Sequence, residues 1–330
     1  MKSRICKSAY WLSLAMVVLI LASACGGTAP ETNPGQTSEA GELQSASLGS
    51  GEKLRVVATT NILGDIVSNV GSDRIELTTL MDVGVDPHSY IPTPADTAAI
   101  HDAHIVLANG LGLEADLDEI LENAGGDAIH VHVSDGLELR EADGQHDDGD
   151  HADNGHSIDP HVWFDVKNVI QWVGTIESAL STLDPANAQS YAQNASAYIQ
   201  ELEELDAWVV EQVSTIPQAN RKLVTNHPAF GYLADRYGLE QLGAVFPVNP
   251  SSEPSAQEIA ALEDAIREYA VPAVFTESTV SPRMAEQVAQ DTGVKLVQLY
   301  SGSLGPPGSG AETYILLIRY DIKALTENLR

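Results

Sequence analysis

The 330-residue chain is short of cysteine and of positive charge, and each shortage narrows its chemistry. Its two cysteines are Cys6 and Cys25. Cys6 lies in an apolar leader, so a chain that has lost its leader can form no internal disulfide, even in an oxidising compartment. Only 17 Lys and Arg stand against 47 Asp and Glu, a formal net charge of −30. Such a surface repels a phosphate backbone, which argues against nucleic acid as a partner, whereas a cation suits it. The chain also lacks a His-Glu-x-x-His helix, a glycine-rich phosphate loop and the Ser/His/Asp order of a hydrolase, so no enzyme class is indicated.

Its apolar run 9–24 is too short for a comfortable membrane span. Preceded by Lys2, Arg4 and Lys7, it reads as an export signal. The run ends in Leu21-Ala22-Ser23-Ala24-Cys25-Gly26, which resembles a bacterial lipobox, with Ala22 where such boxes more often hold Leu. Cleavage before Cys25 leaves its thiol to carry lipid. Residues 1–24 are thus expected to be a lipoprotein signal peptide. Residues 25–52, dominated by small and polar types, are expected to form a flexible tether at the outer face of the cell membrane.

Beyond the tether, apolar runs bounded by turn residues predict strands at 54–58, 75–80, 104–108 and 129–133, with helices at 62–70 and 93–102. The scheme repeats with strands at 222–225, 243–246, 271–276 and 295–299 and helices at 228–237, 255–269 and 281–292. Alternation of this kind implies parallel sheets covered on both faces. Between the two sets, Tyr191, Ala195, Tyr198, Leu202, Leu205, Val209, Val213 and Ile216 step by three or four. They predict one long helix over 185–216, closed by Pro217. The fold class is therefore α/β: a lobe over 53–184, a rigid linking helix over 185–216 and a second lobe over 217–330.

Three of the ten histidines have distinctive flanks: Asp86-Pro87-His88, Asp159-Pro160-His161 and Asn226-His227-Pro228. His88 and His227 follow strands, where open α/β sheets bind ligands. Neutral imidazole is a borderline donor suited to Zn²⁺, and three of them form most of a tetrahedral shell. Asp86, Asp159 and Asp165 are candidate acceptors for a histidine's other ring N–H, or else turn-forming and helix-capping residues. The stretch 141–157, rich in Asp and Gly, contains His146, His151 and His156. It reads as a loop that gathers metal weakly, or as a solvated acidic insertion.

Several separated motifs carry a resemblance from about Lys53 to the C-terminus. They are Gly84-Val85-Asp86-Pro87-His88-Ser89-Tyr90 with Pro92-Thr93-Pro94, Asp159-Pro160-His161-Val162-Trp163-Phe164-Asp165 and His227-Pro228-Ala229-Phe230-Gly231-Tyr232. Phe275-Thr276-Glu277 and Leu299-Tyr300 with Ser303-Leu304-Gly305 complete them. With these the chain resembles the cluster A-I (ZnuA/TroA-like) solute-binding proteins of zinc and manganese ABC importers. That resemblance implies two lobes joined by a long helix, a metal site in the cleft and, residue by residue, ligands at His88, His161 and His227. The zinc branch of the family carries a His- and acid-rich loop where 141–157 lies. The fourth ligand does not carry over, because Gly302 stands where many members have Asp. Water, or a carboxylate such as Glu277 or Glu312, is then needed.

The expected cargo is Zn²⁺, with Mn²⁺ as the alternative, since three imidazoles and the His-rich loop suit the borderline ion. The implied partners are an ABC permease, the metal ion and, through the lipid, the membrane, with the chain acting as a monomer. A three-histidine zinc hydrolase and a surface adhesin are the readings from other classes.

Overall fold

The computed structural model describes residues 44–123, 125–142, 158–245 and 255–330. The signal segment, Cys25, His146, His151 and His156 lie outside the described residues. Among the described residues no helix is long and apolar enough to cross a membrane.

The first sheet holds β1 (Leu54–Ala58), β2 (Ile75–Thr79), β3 (Ile105–Ala108) and β4 (Ile129–His132) in the order β2-β1-β3-β4, all parallel. The second holds β5 (Lys222–Thr225), β6 (Glu240–Ala244), β7 (Ala273–Glu277) and β8 (Lys295–Leu299) in the matching order β6-β5-β7-β8, again parallel. Each order requires crossovers, which helices supply. The first lobe has α1 (Asn61–Gly71), α2 (Pro94–Asp102) and α3 (Ala115–Asn123), followed by α4 (Val166–Leu183). After α5 (Ala188–Ser214), the second lobe has α6 (Gly231–Tyr237), α7 (Ala256–Glu268), α8 (Arg283–Thr292) and α9 (Tyr314–Asn328).

Alternation along β3 shows how the sheet is covered. Ile105 and Leu107 join the largest core, and Val106 and Ala108 join a smaller one on the opposite face. The second lobe has its own outer core around Val224, Val274 and Val288. The largest core is shared by both lobes, running from Ile62 and Leu63 through α4 and α5 to Phe275, Leu317 and Ile322. α5 is its spine: Tyr191, Leu202, Leu205 and Val209 are fully buried, at the spacing that keeps one helix face inward. Its 27 residues span about 40 Å at 1.5 Å per residue.

Most element boundaries shift by one to three residues from the sequence reading, and four of the differences have a visible cause or consequence. The linking helix starts at Ala188 rather than 185, because Pro185 lies in the turn that Asp184 organises through Asn187 and Tyr191. It ends at Ser214, just before Pro217. β6 lies three residues earlier than the run 243–246, with a register shift against β5 between Leu223 and Val224. The segment expected to be tether up to residue 52 is already docked at Ala46, whose N–H donates to Leu183 O (2.8 Å) while Ala46 and Leu48 pack on the core.

Candidate metal centre

Three chain segments at the carboxyl ends of strands converge. After β2, Asp86 caps a short 3-10 turn over Pro87–Ser89 by accepting from the backbone N–H of His88 (3.1 Å) and the hydroxyl of Ser89 (3.1 Å). Pro87 at the first position of that turn needs no N–H partner, and it is buried. His88 is thereby held at the rim, half-buried.

The backbone carbonyl of Pro160 accepts from Asn109 Nδ2 (3.1 Å), just after β3. His161 follows and is 1 % exposed. Asp159 Oδ1 accepts both the His161 backbone N–H (3.0 Å) and its ring Nδ1–H (2.8 Å). At the end of β5, Thr225 Oγ1 donates to His227 O (2.6 Å), and Asn226 Oδ1 accepts from Glu277 N (3.0 Å) on β7. His227 is 2 % exposed, and its Nδ1–H donates to Glu277 Oε2 (3.1 Å).

The ring centroids of His88, His161 and His227 lie 4.8 to 5.2 Å apart. One nitrogen of each falls within 4.8 Å of the other two, the one such group of histidine, cysteine or acidic side chains among the described residues. His88 Nε2 and His161 Nε2 are 3.0 Å apart. The protons can be assigned from the partners. Asp159 and Glu277 fix the tautomers of His161 and His227 with Nδ1–H outward, so their Nε2 lone pairs face inward. The proton between His88 and His161 therefore sits on His88 Nε2. A cation that binds both must send that proton to His88 Nδ1 and open the pair slightly, since tetrahedral Zn–N bonds of about 2.0–2.1 Å imply N···N of roughly 3.3 Å.

Burial keeps two of the rings neutral. Burial above all, then the nearby His161 and His227, drives His88 down to about 2. Burial also lowers His161, against the opposing pull of the Asp159 hydrogen bond. Asp159 itself is raised by burial but more than recovered by His161 and Arg140, so it ends below the usual carboxylate range. His88 and His161 are thus held neutral, the charge state in which imidazole binds metal, and His161 and His227 are each backed by an acidic side chain.

Of the three aspartates weighed from sequence, Asp159 alone meets a histidine ring. Asp86 caps its own turn, and Asp165 caps α4 at Lys167 N (2.8 Å) and pairs with Arg236 (3.3 Å). Glu277 stands behind His227 rather than beside the inward nitrogens, and its Oε1 is buried with no hydrogen-bond partner among the described residues. Glu312 accepts from Gly308 N (2.6 Å) in an exposed turn. Gly302 has no positive φ; instead, a Cβ there would lie 2.9 Å from Pro87 Cδ, next to His88. His104 is structural, its Nδ1 accepting from Arg55 N–H (2.9 Å), while His101, His130 and His132 are exposed.

Sequence reasoning quoted Gly84, Trp163, Ser303 and Leu304 within motifs but missed Asn61 and the contacts that lock the 301–304 turn against the first lobe. Trp163 Nε1 donates to Ser301 O (3.1 Å), Leu304 N donates to Asn61 Oδ1 (2.7 Å), and Ser303 Oγ accepts from Gly84 N (2.7 Å). No spacing rule links Asn61 to Ser303, 242 positions away. It also missed Arg140, which donates to Asp159 Oδ2 (2.8 Å).

Known proteins resemble this chain in sequence and fold. The family model for "Zinc-uptake complex component A periplasmic" matches residues 56–328. The chain is 36 % identical over 318 residues to the manganese-binding lipoprotein MntA of Halalkalibacterium halodurans, covering 95 % of this chain and 96 % of that protein. It is 31 % identical to the manganese ABC transporter substrate-binding lipoprotein PsaA of Streptococcus pneumoniae, covering 85 % and 90 %. Among solved structures, the periplasmic zinc binding protein TroA of Treponema pallidum superposes with a TM-score of 0.76 at 31 % identity, covering 84 % of this chain and 99 % of that one. A Mn-bound periplasmic metal binding protein from Candidatus Liberibacter asiaticus gives 0.75 at 29 %, covering 84 % and 100 %. With two parallel-sheet lobes on one long helix and a family match across nearly the whole folded region, the chain belongs to the ZnuA/TroA family of periplasmic metal-binding proteins.

Proposed function

We propose that the chain is the substrate-binding component of an ABC importer, capturing a divalent transition-metal ion between His88, His161 and His227 and handing it to the permease. The observation that carries this reading is the convergence of three imidazoles from both lobes, two of them held by buried acidic side chains. In this reading Cys25 anchors the chain by lipid at the outer face of the cell membrane, and His146, His151 and His156 form a weak auxiliary metal loop.

Manganese is the cargo favoured by the relatives' names, which specify it for MntA and PsaA. Zinc is the second reading, favoured by the donor set itself: three imidazoles and glycine at 302 offer no inward carboxylate oxygen, the donor that suits Mn²⁺. Affinity alone does not separate the two, because Zn²⁺ outbinds Mn²⁺ at most nitrogen sites by the Irving–Williams order. The deciding experiment is uptake of radioactive manganese and zinc by cells lacking the gene and by cells with it restored. Loss and recovery of manganese uptake is expected; loss of zinc uptake alone transfers the assignment to zinc, and loss of neither overturns the importer reading.

A further inference from the structure

Arg140 sits just before the 141–158 antiparallel bridge and takes no part in holding a ligand directly. Its side chain is 17 % exposed, and both side chain and backbone bond to buried or cross-lobe partners. One guanidinium nitrogen donates to Asp159 Oδ2 (2.8 Å), on the carboxylate whose other oxygen holds the ring of His161. Nε donates to Asp235 Oδ2 (2.9 Å) on α6, in the second lobe. Its backbone N–H donates to the hydroxyl of Tyr232 (3.1 Å), also on α6. The Asp159 side chain is 2 % exposed, so its ion pair with Arg140 is shielded from water, whereas Asp235 is 66 % exposed. A buried charged hydrogen bond is the strong member of such a set and the exposed one is weak.

Gly231 makes this approach possible. A Cβ at that position would overlap the Arg140 guanidinium and lie 2.7 Å from Asp159 Oδ2. The first residue of α6 thus lacks a side chain where a cation from the other lobe passes.

We infer that Arg140 is a positioning residue for the metal site: it fixes the second oxygen of Asp159, and so the orientation of the His161 ring, while anchoring that pair to the second lobe through α6. The inference rests on the three-histidine reading of the site. Outer partners of metal-bound histidines typically alter affinity ~10- to 100-fold when removed. Arg140 stands one step further out, through a single shared carboxylate.

The test uses the folded chain, stripped with chelator and titrated with Co²⁺, whose visible ligand-field bands report the geometry of the donors, and with Zn²⁺ by competition. Arg140→Ala is expected to weaken Zn²⁺ binding about tenfold and to shift the Co²⁺ bands. Arg140→Lys, which keeps a cation beside Asp159, is expected to fall between it and the wild type. Gly231→Ala keeps every charge and raises helix propensity at the start of α6, but displaces the guanidinium, so it is expected to weaken Zn²⁺ binding and shift the Co²⁺ bands on its own, which keeps the inference testable where Arg140→Ala fails to fold. Wild-type affinity and an unchanged Co²⁺ spectrum in folded Arg140→Ala, or in Gly231→Ala, overturn the inference. A lowered melting temperature with an unchanged spectrum does so too, by making Arg140 merely structural. A wild-type protein that binds neither ion defeats the parent reading, whereas normal wild-type binding with unaffected variants defeats only this one.

Discussion

At the scale of single residues, two of the three histidines are oriented by buried acidic side chains behind them. Glu277 fixes the His227 tautomer from a fully buried position. Glu277→Gln keeps a hydrogen-bond acceptor but removes the acid, and is expected to weaken metal binding about tenfold by competitive titration; unaltered affinity would assign Glu277 a packing role only. The sequence alone suggests that affinity falls as pH drops through the free-histidine value of about 6.5, with protons released on binding. The geometry moves that expectation. With His88 driven to about 2 and His161 also lowered, these two rings are already neutral near pH 7. Calorimetry at pH 7 in two buffers of different ionisation enthalpy is therefore expected to give equal heats, and a buffer-dependent heat contradicts neutral donors. The stability of the chelator-stripped protein follows the same shifts. A histidine whose folded pKa is depressed binds its proton more readily when unfolded, so its contribution is complete above about pH 6.5 and is lost as pH falls below it.

At the scale of elements, helix α5 and the turn after β8 hold the parts in register. Leu202 is fully buried in the middle of α5, within the core that both lobes share. Leu202→Ala is expected to cost about 2–5 kcal/mol in denaturant unfolding, and a cost below about 1 kcal/mol would remove α5 from its place as the spine. The turn after β8 is fastened to the first lobe through Ser301, Ser303 and Leu304, with Pro87 against Gly302. Gly302→Ala, which adds no ligand, is thus expected to displace Pro87 and weaken metal binding through His88. Gly302→Asp is expected to combine that displacement with its new oxygen, and Gly302→Ala at wild-type affinity would show that the turn has room. The linking helix was legible because its apolar residues keep one period for seven turns. α4 carries the same signal in Val166, Val169, Trp172, Val173, Ile176 and Leu180, all buried, and passed unread beside the Asp159–Asp165 motif. β6 was misplaced because Glu240 and Gln241 open it with polar side chains and no apolar run marks its start.

At the scale of the whole molecule, two sheets of matching strand order present their carboxyl ends to one cleft, and the shared core through α4, α5 and α9 makes large hinge motion costly. The histidines were legible because each has proline beside it at a strand end or motif boundary. Arg140 and Asn61 were not, nor was the pairing of Asn61 with Ser303, because the partners are distant in sequence and ordinary in type. The excess of acidic residues offers a long-range attraction to cations but does not place one. The central claim concerns placement: a divalent ion is captured by three nitrogens at one point. It is tested most directly by a crystal structure of protein loaded with Mn²⁺, and separately with Zn²⁺, using anomalous scattering at each metal's absorption edge. One strong peak is predicted between the inward nitrogens of His88, His161 and His227, at about 2.0–2.1 Å from each for zinc. A peak elsewhere, or none there in protein shown by metal analysis to carry the ion, would contradict it.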